Sequence, residues 1–422
     1  MSIFRKKIPD LESKEDYSDI LEVIENGTIT TVPDFYASSS HCGIRKWKDD
    51  ICLIYTPKKS TASAVFTTNK FKAAPVRIDQ DQLKRSRDIR AVLINSGISN
   101  ACTGKMGLKN ANATIESVSK ELNIKKHNVL VSSTGRIGKQ LPMEKIKSGI
   151  KTCAKRLSLE GGKYAARAIL TIDKNPKEIA VRIKQPAQGV TIGGIAKGSV
   201  MIEPDMATTL AFITTNAKVS ARVLDKMVRE AVLRTFNCLT TDGCQSTNDM
   251  IVVLANGQSG IDISNDKDMQ ESFHNALYYV LDCLAKKVAE DAEGATKVIQ
   301  IRVVNAKTKD IARNIGKKVA NSLLFKTAMY GQDLNWGRIA AAIGSDGSEI
   351  DQNKVDLYFG DELIMEKGMG KDFDDEKTSS MMKEGFLKFR IDMNSGKYNA
   401  RVLTNDITYD YIKINAEYKK QR

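Results

Sequence analysis

Between positions 191 and 217 the chain reads TIGGIAKGSVMIEPDMATTLAFITTNA, and the step Met206-Ala207-Thr208-Thr209 is where its residue types best suit covalent chemistry. A glycine-rich lead-in, a Pro-Asp turn and a small residue precede two threonines that open an apolar run. Such a segment can hold one peptide bond within reach of a neighbouring hydroxyl. Cleavage of Ala207–Thr208 would make Thr208 an N-terminus, its hydroxyl beside its own α-amine, a base with a pKa near ~8. An N-terminal threonine with its amine as base is one way to activate a weak nucleophile. The same pair equally suits an ordinary strand, because β-branched side chains favour strands.

Other catalytic chemistries find less support. His41, His127 and His274 are the three histidines, and none stands at metal-ligand spacing, which argues against zinc chemistry and a histidine triad. The seven cysteines are scattered, odd in number and without CxxC, as expected of reduced thiols. Gly193-Gly194-Ile195-Ala196-Lys197-Gly198 lacks P-loop spacing, and there is no GxGxxG, so no nucleotide cofactor is implied.

Acyl transfer also needs donors aimed at a developing oxyanion. A Thr hydroxyl and the backbone N–H of a tight Gly turn supply these without charge, as Thr134-Gly135 could; the alternative is a plain turn after a strand. Similar Thr/Asn/Gly-rich stretches occur at Val65–Asn69, Asn95–Gly104 and Ser246–Asp249. Lys197 could bind a substrate carboxylate or be a surface lysine. A carboxylate in Asp291–Thr296 could hold an ammonium or be a solvated helix end. Asp333–Arg338 reads as either a structural turn at a strand entrance or a pocket border.

The elements that must position these groups alternate along the chain. At 422 residues two domains or one large layered domain are expected. Val92–Asn95, Val129–Ser132, Ile251–Ala255 and Val298–Val304 read as strands; 105–124, 144–157, a helix capped by Ser220, a long amphipathic one through Met269–Val288, and Ile311–Leu324 read as helices. Trp336–Ile343 and Val355–Met365 read as strands, and Asn394-Ser395-Gly396 as a hairpin turn between Leu387–Met393 and Asn399–Thr404. The class is α/β. The net charge of +14 comes from dispersed lysines with 6% aromatics, which fits a solvated surface attractive to anionic substrates better than nucleic-acid binding. Apolar runs are too short for a membrane helix, and the first residues lack a signal-peptide pattern, so a cytoplasmic protein is expected.

Eight segments in order resemble one family, the ornithine acetyltransferases or glutamate N-acetyltransferases of arginine biosynthesis. They are VFTTNKFKAAPV (65–76), INSGISNACTG (94–104), SSTGRIG (132–138), AKGSVMIEPDMATTL (196–210), STNDM (246–250), DAEGATK (291–297), YGQDLNWGRI (330–339) and NDITYDYIKINAEY (405–418). The resemblance implies an αββα sandwich, similar to the aminopeptidase relatives of N-terminal-nucleophile enzymes, with a second, smaller α/β domain. It implies self-cleavage at Ala207–Thr208 into chains 1–207 and 208–422 that stay together in an α2β2 assembly. Thr208 would then carry acetyl from N-acetylornithine to glutamate through a ping-pong ester, with Thr134 and Gly135 as oxyanion hole. Thr171, Lys197, Glu293, Asn415 and Lys420 match substrate-contacting positions. No cofactor is implied, acetyl-CoA being an alternative donor, and neither is a metal, nucleic acid or a membrane.

The chain departs from the family pattern at several points. Val200 stands where glycine is usual, Ile172 where a second threonine is common, Leu334 where proline is usual, and Lys420 where Thr or Ser is usual. Cys244, Gln245 and Met250 alter a segment expected to shape the pocket and acceptor choice. A Thr-nucleophile amidohydrolase or aminoacylase, with water as acceptor, or an acetyltransferase of a related biosynthetic side pathway, is the runner-up; an uncleaved structural relative is the non-enzymatic reading.

Overall fold

The computed structural model describes Tyr17, residues 19–203 and residues 209–417. It divides into two compact units. Of the described residues, the first holds those up to Lys197, 209–236 and Ser246–Leu284; the second holds 198–203, Asn237–Gln245 and 285–417. Both units draw on sequence from either side of position 207.

The first unit contains two sheets. One joins β1 (Leu21–Ile24), β4 (Thr61–Phe66), β7 (Lys177–Ile183), β8 (Thr191–Lys197), β9 (Leu210–Thr215) and β10 (Met250–Ala255) in the order β1-β7-β8-β9-β10-β4. The other joins β2 (Tyr36–Ser40), β3 (Ile51–Tyr55), β5 (Ala91–Ile98) and β6 (Val129–Arg136) in the order β2-β3-β5-β6. Their apolar runs are continuous because both faces of each sheet are covered. Cys52 and Ile54 of β3, Val92 and Ile94 of β5 and Leu130 of β6 meet Phe212 of β9 and Met250, Val252 and Leu254 of β10 in a core between the sheets. Ile51, Leu53, Ala91, Leu93, Val129 and Val131 point the other way, onto helices Gly104–Leu122 and Met143–Lys155. Helix Ala221–Arg234 covers β4. Helix Lys267–Glu290 lies over β8, where Val280 and Leu284 approach Gly194 so closely that a side chain there would collide. These layers form the αββα sandwich expected from the family resemblance.

The second unit has a mixed sheet of β11 (Val298–Ala306), β12 (Asp356–Phe359), β13 (Glu362–Glu366), β14 (Met369–Gly370), β15 (Phe386–Asp392) and β16 (Tyr398–Asn405), in the order β14-β13-β12-β15-β11-β16. Its core packs Ile299, Ile301 and Val303 of β11 and Phe389 of β15 with Ile315 and Val319 of helix Lys309–Ala320.

Four sequence expectations in this unit are corrected. Trp336–Gly344 is a helix rather than a strand. The Asn335 side chain accepts from the Arg338 N–H at its start, and Ile339, Ala342 and Ile343 are buried at helical spacing. The polar run before it is thus a cap, and Leu334 and Trp336 pack on the core. β15 and β16 are not a hairpin: β11 lies between them, parallel to β15 and antiparallel to β16. Asn394-Ser395-Gly396 crosses the end of β11, with the Ser395 N–H on the Asn305 carbonyl. The expected helix 311–324 breaks at Asn321, and Ser322 caps a second helix, Leu323–Tyr330. Similarly, Val355–Met365 is two antiparallel strands turning at Gly360. Ser220 does precede helix Ala221–Arg234, although its side chain makes no cap bond.

Candidate active site

The four Thr/Asn/Gly-rich stretches converge at one end of the sandwich. The first follows β4, the second and third finish β5 and β6, and the fourth leads into β10. The Thr67 N–H donates to the Asp249 carbonyl at 3.0 Å, and the Thr67 hydroxyl to the Ser246 carbonyl at 2.8 Å. The Ser133 hydroxyl donates to Asn95 Oδ1 at 2.6 Å. The Asn248 carboxamide donates to the carbonyls of Ser99 and Ser133 at 2.6 and 2.8 Å.

Thr134 and Gly135 stand in the last turn-like residues of β6, which is one strand of a parallel pair rather than a turn after a strand. Gly135 has φ +126°, and a Cβ there would sit 2.3 Å from the Gly97 backbone, so only glycine fits this close approach. The half-buried Thr134 hydroxyl has no partner among the described residues. It is therefore available to an external oxygen.

Thr171 and Lys197 are brought together. Lys197 Nζ, at the end of β8, donates to the Thr171 hydroxyl at 2.9 Å and lies 3.6 Å from the Asp173 carboxylate. Asp173 also pairs with Lys177 at 2.8 Å and accepts from the Thr171 N–H at 3.0 Å. Burial pushes the Asp173 carboxyl upward, but Lys197 and Lys177 outweigh it and hold it well below the usual carboxylate range. Asp173 thus shares its one negative charge between the Lys177 and Lys197 ammoniums. Arg45 supports the segment by donating to the carbonyls of Leu170 and Thr171 at 2.7 and 3.1 Å. Sequence reasoning missed Asp173 and Arg45; the polar run Asp173-Lys174-Asn175 looks like a surface loop, and nothing marks Arg45 among dispersed basic residues.

In the second unit Glu293 and Asn415 meet: Asn415 Nδ2 donates to Glu293 Oε2 at 3.0 Å. The Glu293 N–H donates to the Ser199 carbonyl at 2.9 Å, and Gly294, at φ +69°, lets the chain pass against Tyr411. The Tyr411 hydroxyl is pushed up to about 12 by burial and by Asp242, Cys244 and Glu293. This corner is acidic, the opposite of the Lys197 site. Asp242 accepts the N–H groups of Met201 and Ile202 at 2.7 and 3.0 Å, fixing the segment that carries Val200. The left-handed residue there is Met201 (φ 55°), not Val200, so a β-branched residue at 200 meets no backbone penalty.

Ala207, Thr208 and Lys420 lie outside the described residues. Of the altered segment, Cys244 is exposed and Gln245 pairs with Ile202, whereas Met250 belongs to the core of β10 and does not shape a pocket loop. Among the described residues no group of three His, Cys, Asp or Glu is arranged to hold a metal ion, and no helix is long and apolar enough to cross a membrane.

A model of the ArgJ family matches residues 36–420. The chain is similar to the arginine biosynthesis bifunctional protein ArgJ of Caldanaerobacter subterraneus subsp. tengcongensis, with 42% identity over 409 residues, 94% of this chain and 100% of that protein. It is 43% identical over 391 residues to the ArgJ protein of Thermotoga neapolitana, 91% of this chain and 98% of the relative. Among solved structures it is similar to the ArgJ protein of Bacillus halodurans (34% identity, TM-score 0.48, 49% of this chain and 98% of that chain). A second is ornithine acetyltransferase from Mycobacterium tuberculosis complexed with ornithine (35% identity, TM-score 0.42, 44% and 100%).

Proposed function

The chain belongs to the ArgJ family, and from that premise we propose that it cuts itself before Thr208 and passes acetyl from N2-acetyl-L-ornithine to L-glutamate. It is an acetyltransferase of arginine biosynthesis. In the proposed cycle Thr208 Oγ attacks the acetyl carbonyl while the α-amine of Thr208 takes the hydroxyl proton. The carbonyl oxygen becomes an oxyanion held by the Thr134 hydroxyl and the Gly135 N–H. The bond to the ornithine nitrogen breaks, that nitrogen takes the proton, and ornithine leaves. The glutamate amine then attacks the ester and yields a proton to the Thr208 α-amine; the bond from the acetyl carbon to Oγ breaks and Oγ takes that proton, releasing N-acetylglutamate and restoring Thr208. One amide is exchanged for another, so the cycle needs no external energy source. We assign Lys197, with Thr171, to a substrate carboxylate and Glu293, with Asn415, to a substrate ammonium. Lys420 is assigned to substrate binding by the family resemblance. Acetyl-CoA serves as an alternative donor in this reading, and the cut chains assemble as α2β2.

The observation that carries the reading is the convergence of the four stretches beside the start of β9, with the Thr134 hydroxyl unpartnered among the described residues. Sheet pairing also supports retention of both pieces after a cut. β8 and β9 are hydrogen-bonded neighbours from Ile192↔Thr215 to Lys197↔Leu210, so position 207 lies in the connection between two strands already zipped together.

The test is ornithine release from N-acetylornithine with and without glutamate. Release that depends on glutamate and yields equal N-acetylglutamate supports the transferase. Full-rate release without glutamate would establish the hydrolase instead.

A further inference from the structure

Asn248 is a buried carboxamide, 6% exposed, with every polar atom engaged. Its two N–H groups go to the Ser99 and Ser133 carbonyls, and its Oδ1 accepts from the Thr247 hydroxyl at 2.7 Å. A carboxamide has two N–H donors and one carbonyl acceptor, so this set saturates the donors.

The two carbonyls bracket the Thr134-Gly135 step. Ser133 is peptide-bonded to Thr134, so Asn248 grips the peptide plane that contains the Thr134 nitrogen. Ser99 holds the other side: its N–H and its hydroxyl both donate to the Arg136 carbonyl, at 2.9 and 2.8 Å. One side chain thus ties both flanks of the oxyanion pair, directly through Ser133 and through Ser99 to Arg136.

Asn248 itself is carried by the opposite sheet. It precedes Met250 by two residues, as Thr208 precedes Leu210 by two, and Met250 and Leu210 are register partners. The Met250 N–H donates to the Thr209 carbonyl at 3.2 Å. The carboxamide therefore links the β9–β10 pair of the six-stranded sheet to β5 and β6 of the four-stranded sheet, where nucleophile and oxyanion donors must be held in one geometry. An aspartate there has no N–H donors, a serine has one short donor, and a glutamine is longer by a methylene.

We propose that Asn248 is a positioning residue that fixes Thr134 and Gly135 relative to the start of β9, the strand that follows Thr208 and Thr209 in sequence. This rests on the nucleophile and oxyanion assignments above. A displacement of about 1 Å at a reacting centre can cost on the order of 100-fold in rate. Oxyanion contacts are made in the transition state, so the loss falls on kcat rather than KM.

The test compares Asn248→Ala, Thr134→Ala and their double variant, with kinetics normalised to chains carrying a free Thr208 N-terminus and with melting as a check of folding. The inference expects Asn248→Ala to lose about 100-fold in kcat with KM for both substrates changed by less than about threefold. It also expects the double variant to be much less impaired than the product of the single losses, because both act on one oxyanion contact. A folded Asn248→Ala enzyme with wild-type kcat, a loss confined to KM, or fully multiplicative losses overturns it. Where Asn248→Ala fails to fold or to cut itself, Thr247→Val decides. That change removes the hydroxyl orienting Asn248 Oδ1, and the expected result is a fall of about fivefold in kcat at constant KM; an unchanged kcat overturns the inference. Thr208→Ala is run alongside. Retained transfer in Thr208→Ala brings down the nucleophile assignment and this inference with it, whereas a dead Thr208→Ala beside a fully active Asn248→Ala removes only the role of Asn248.

Discussion

Replacing Asp173 by Asn tests the electrostatics of the Lys197 site, because the change keeps shape and removes only charge. Asp173 pairs with both Lys177, at 2.8 Å and almost wholly buried, and Lys197, at 3.6 Å and 12% exposed. The carboxylate sets one negative charge against both ammoniums, and the variant takes that charge from each of them. Removing one partner of a buried pair costs about 3–5 kcal/mol, because the remaining charge stays buried without compensation. For a unit of this size that corresponds to a fall in melting temperature of roughly 10 °C. The pH dependence supplies a second signature. The Asp173 carboxyl is held below its unfolded value, so its stabilisation is present above about pH 4 and is lost as pH falls further. The difference between wild type and variant is therefore largest near neutrality and shrinks in acid. Urea unfolding across pH, with KM for both substrates, reads these effects; Lys197 loses its anchor, so KM should rise about tenfold or more. A variant within about 1 kcal/mol of wild type at pH 7, with unchanged KM, would refute the argument that this pair fixes Lys197.

Other consequences can be measured separately. Thr134→Ala should lower kcat by about 100-fold or more with little change in KM, as removal of an oxyanion donor does; steady-state kinetics on the cut protein decides it. Glu293→Gln keeps the contact to Asn415 but removes the charge offered to an ammonium, so KM should rise by about tenfold while folding, followed by circular dichroism, stays intact. His274 is buried and its pKa is lowered to about 4 by burial and by Arg234 and Lys226. The unfolded chain binds the extra proton first, so stability falls as pH drops from about 6.5 towards 4, by up to about 3 kcal/mol. His274→Gln should flatten that limb, and unchanged acid sensitivity would exclude the histidine as its source.

Much of the site was legible as residue types. Thr134-Gly135, Ser246–Asp249 and the stretches after β4 and β5 combine small hydroxyl and amide side chains with glycine beside apolar strands, a pattern that survives without knowledge of pairing. Their convergence was not legible, because it depends on β10 lying between β9 and β4 and on two sheets stacking at the same end. Asp173 was hidden because a polar loop reads as solvated until burial is known. Met250 looked like part of a pocket loop because its neighbours are polar, but the parallel register with β9 turns it into the core. The Asn394-Ser395-Gly396 turn misled for a similar reason. Its residues suit a tight reversal, yet a strand from nearly 90 residues earlier enters between the two it joins. The apolar content of Trp336–Ile343 suggests a strand, although three alanines and the Asn335 cap favour the helix that forms.

The central claim is that the chain makes its own nucleophile at Thr208, and the intact mass of the purified protein under denaturing conditions tests it most directly. The account predicts two fragments, 1–207 and 208–422, that co-purify under native conditions and separate on denaturation. A single chain of 46.6 kDa that nevertheless transfers acetyl from N-acetylornithine to glutamate would contradict it.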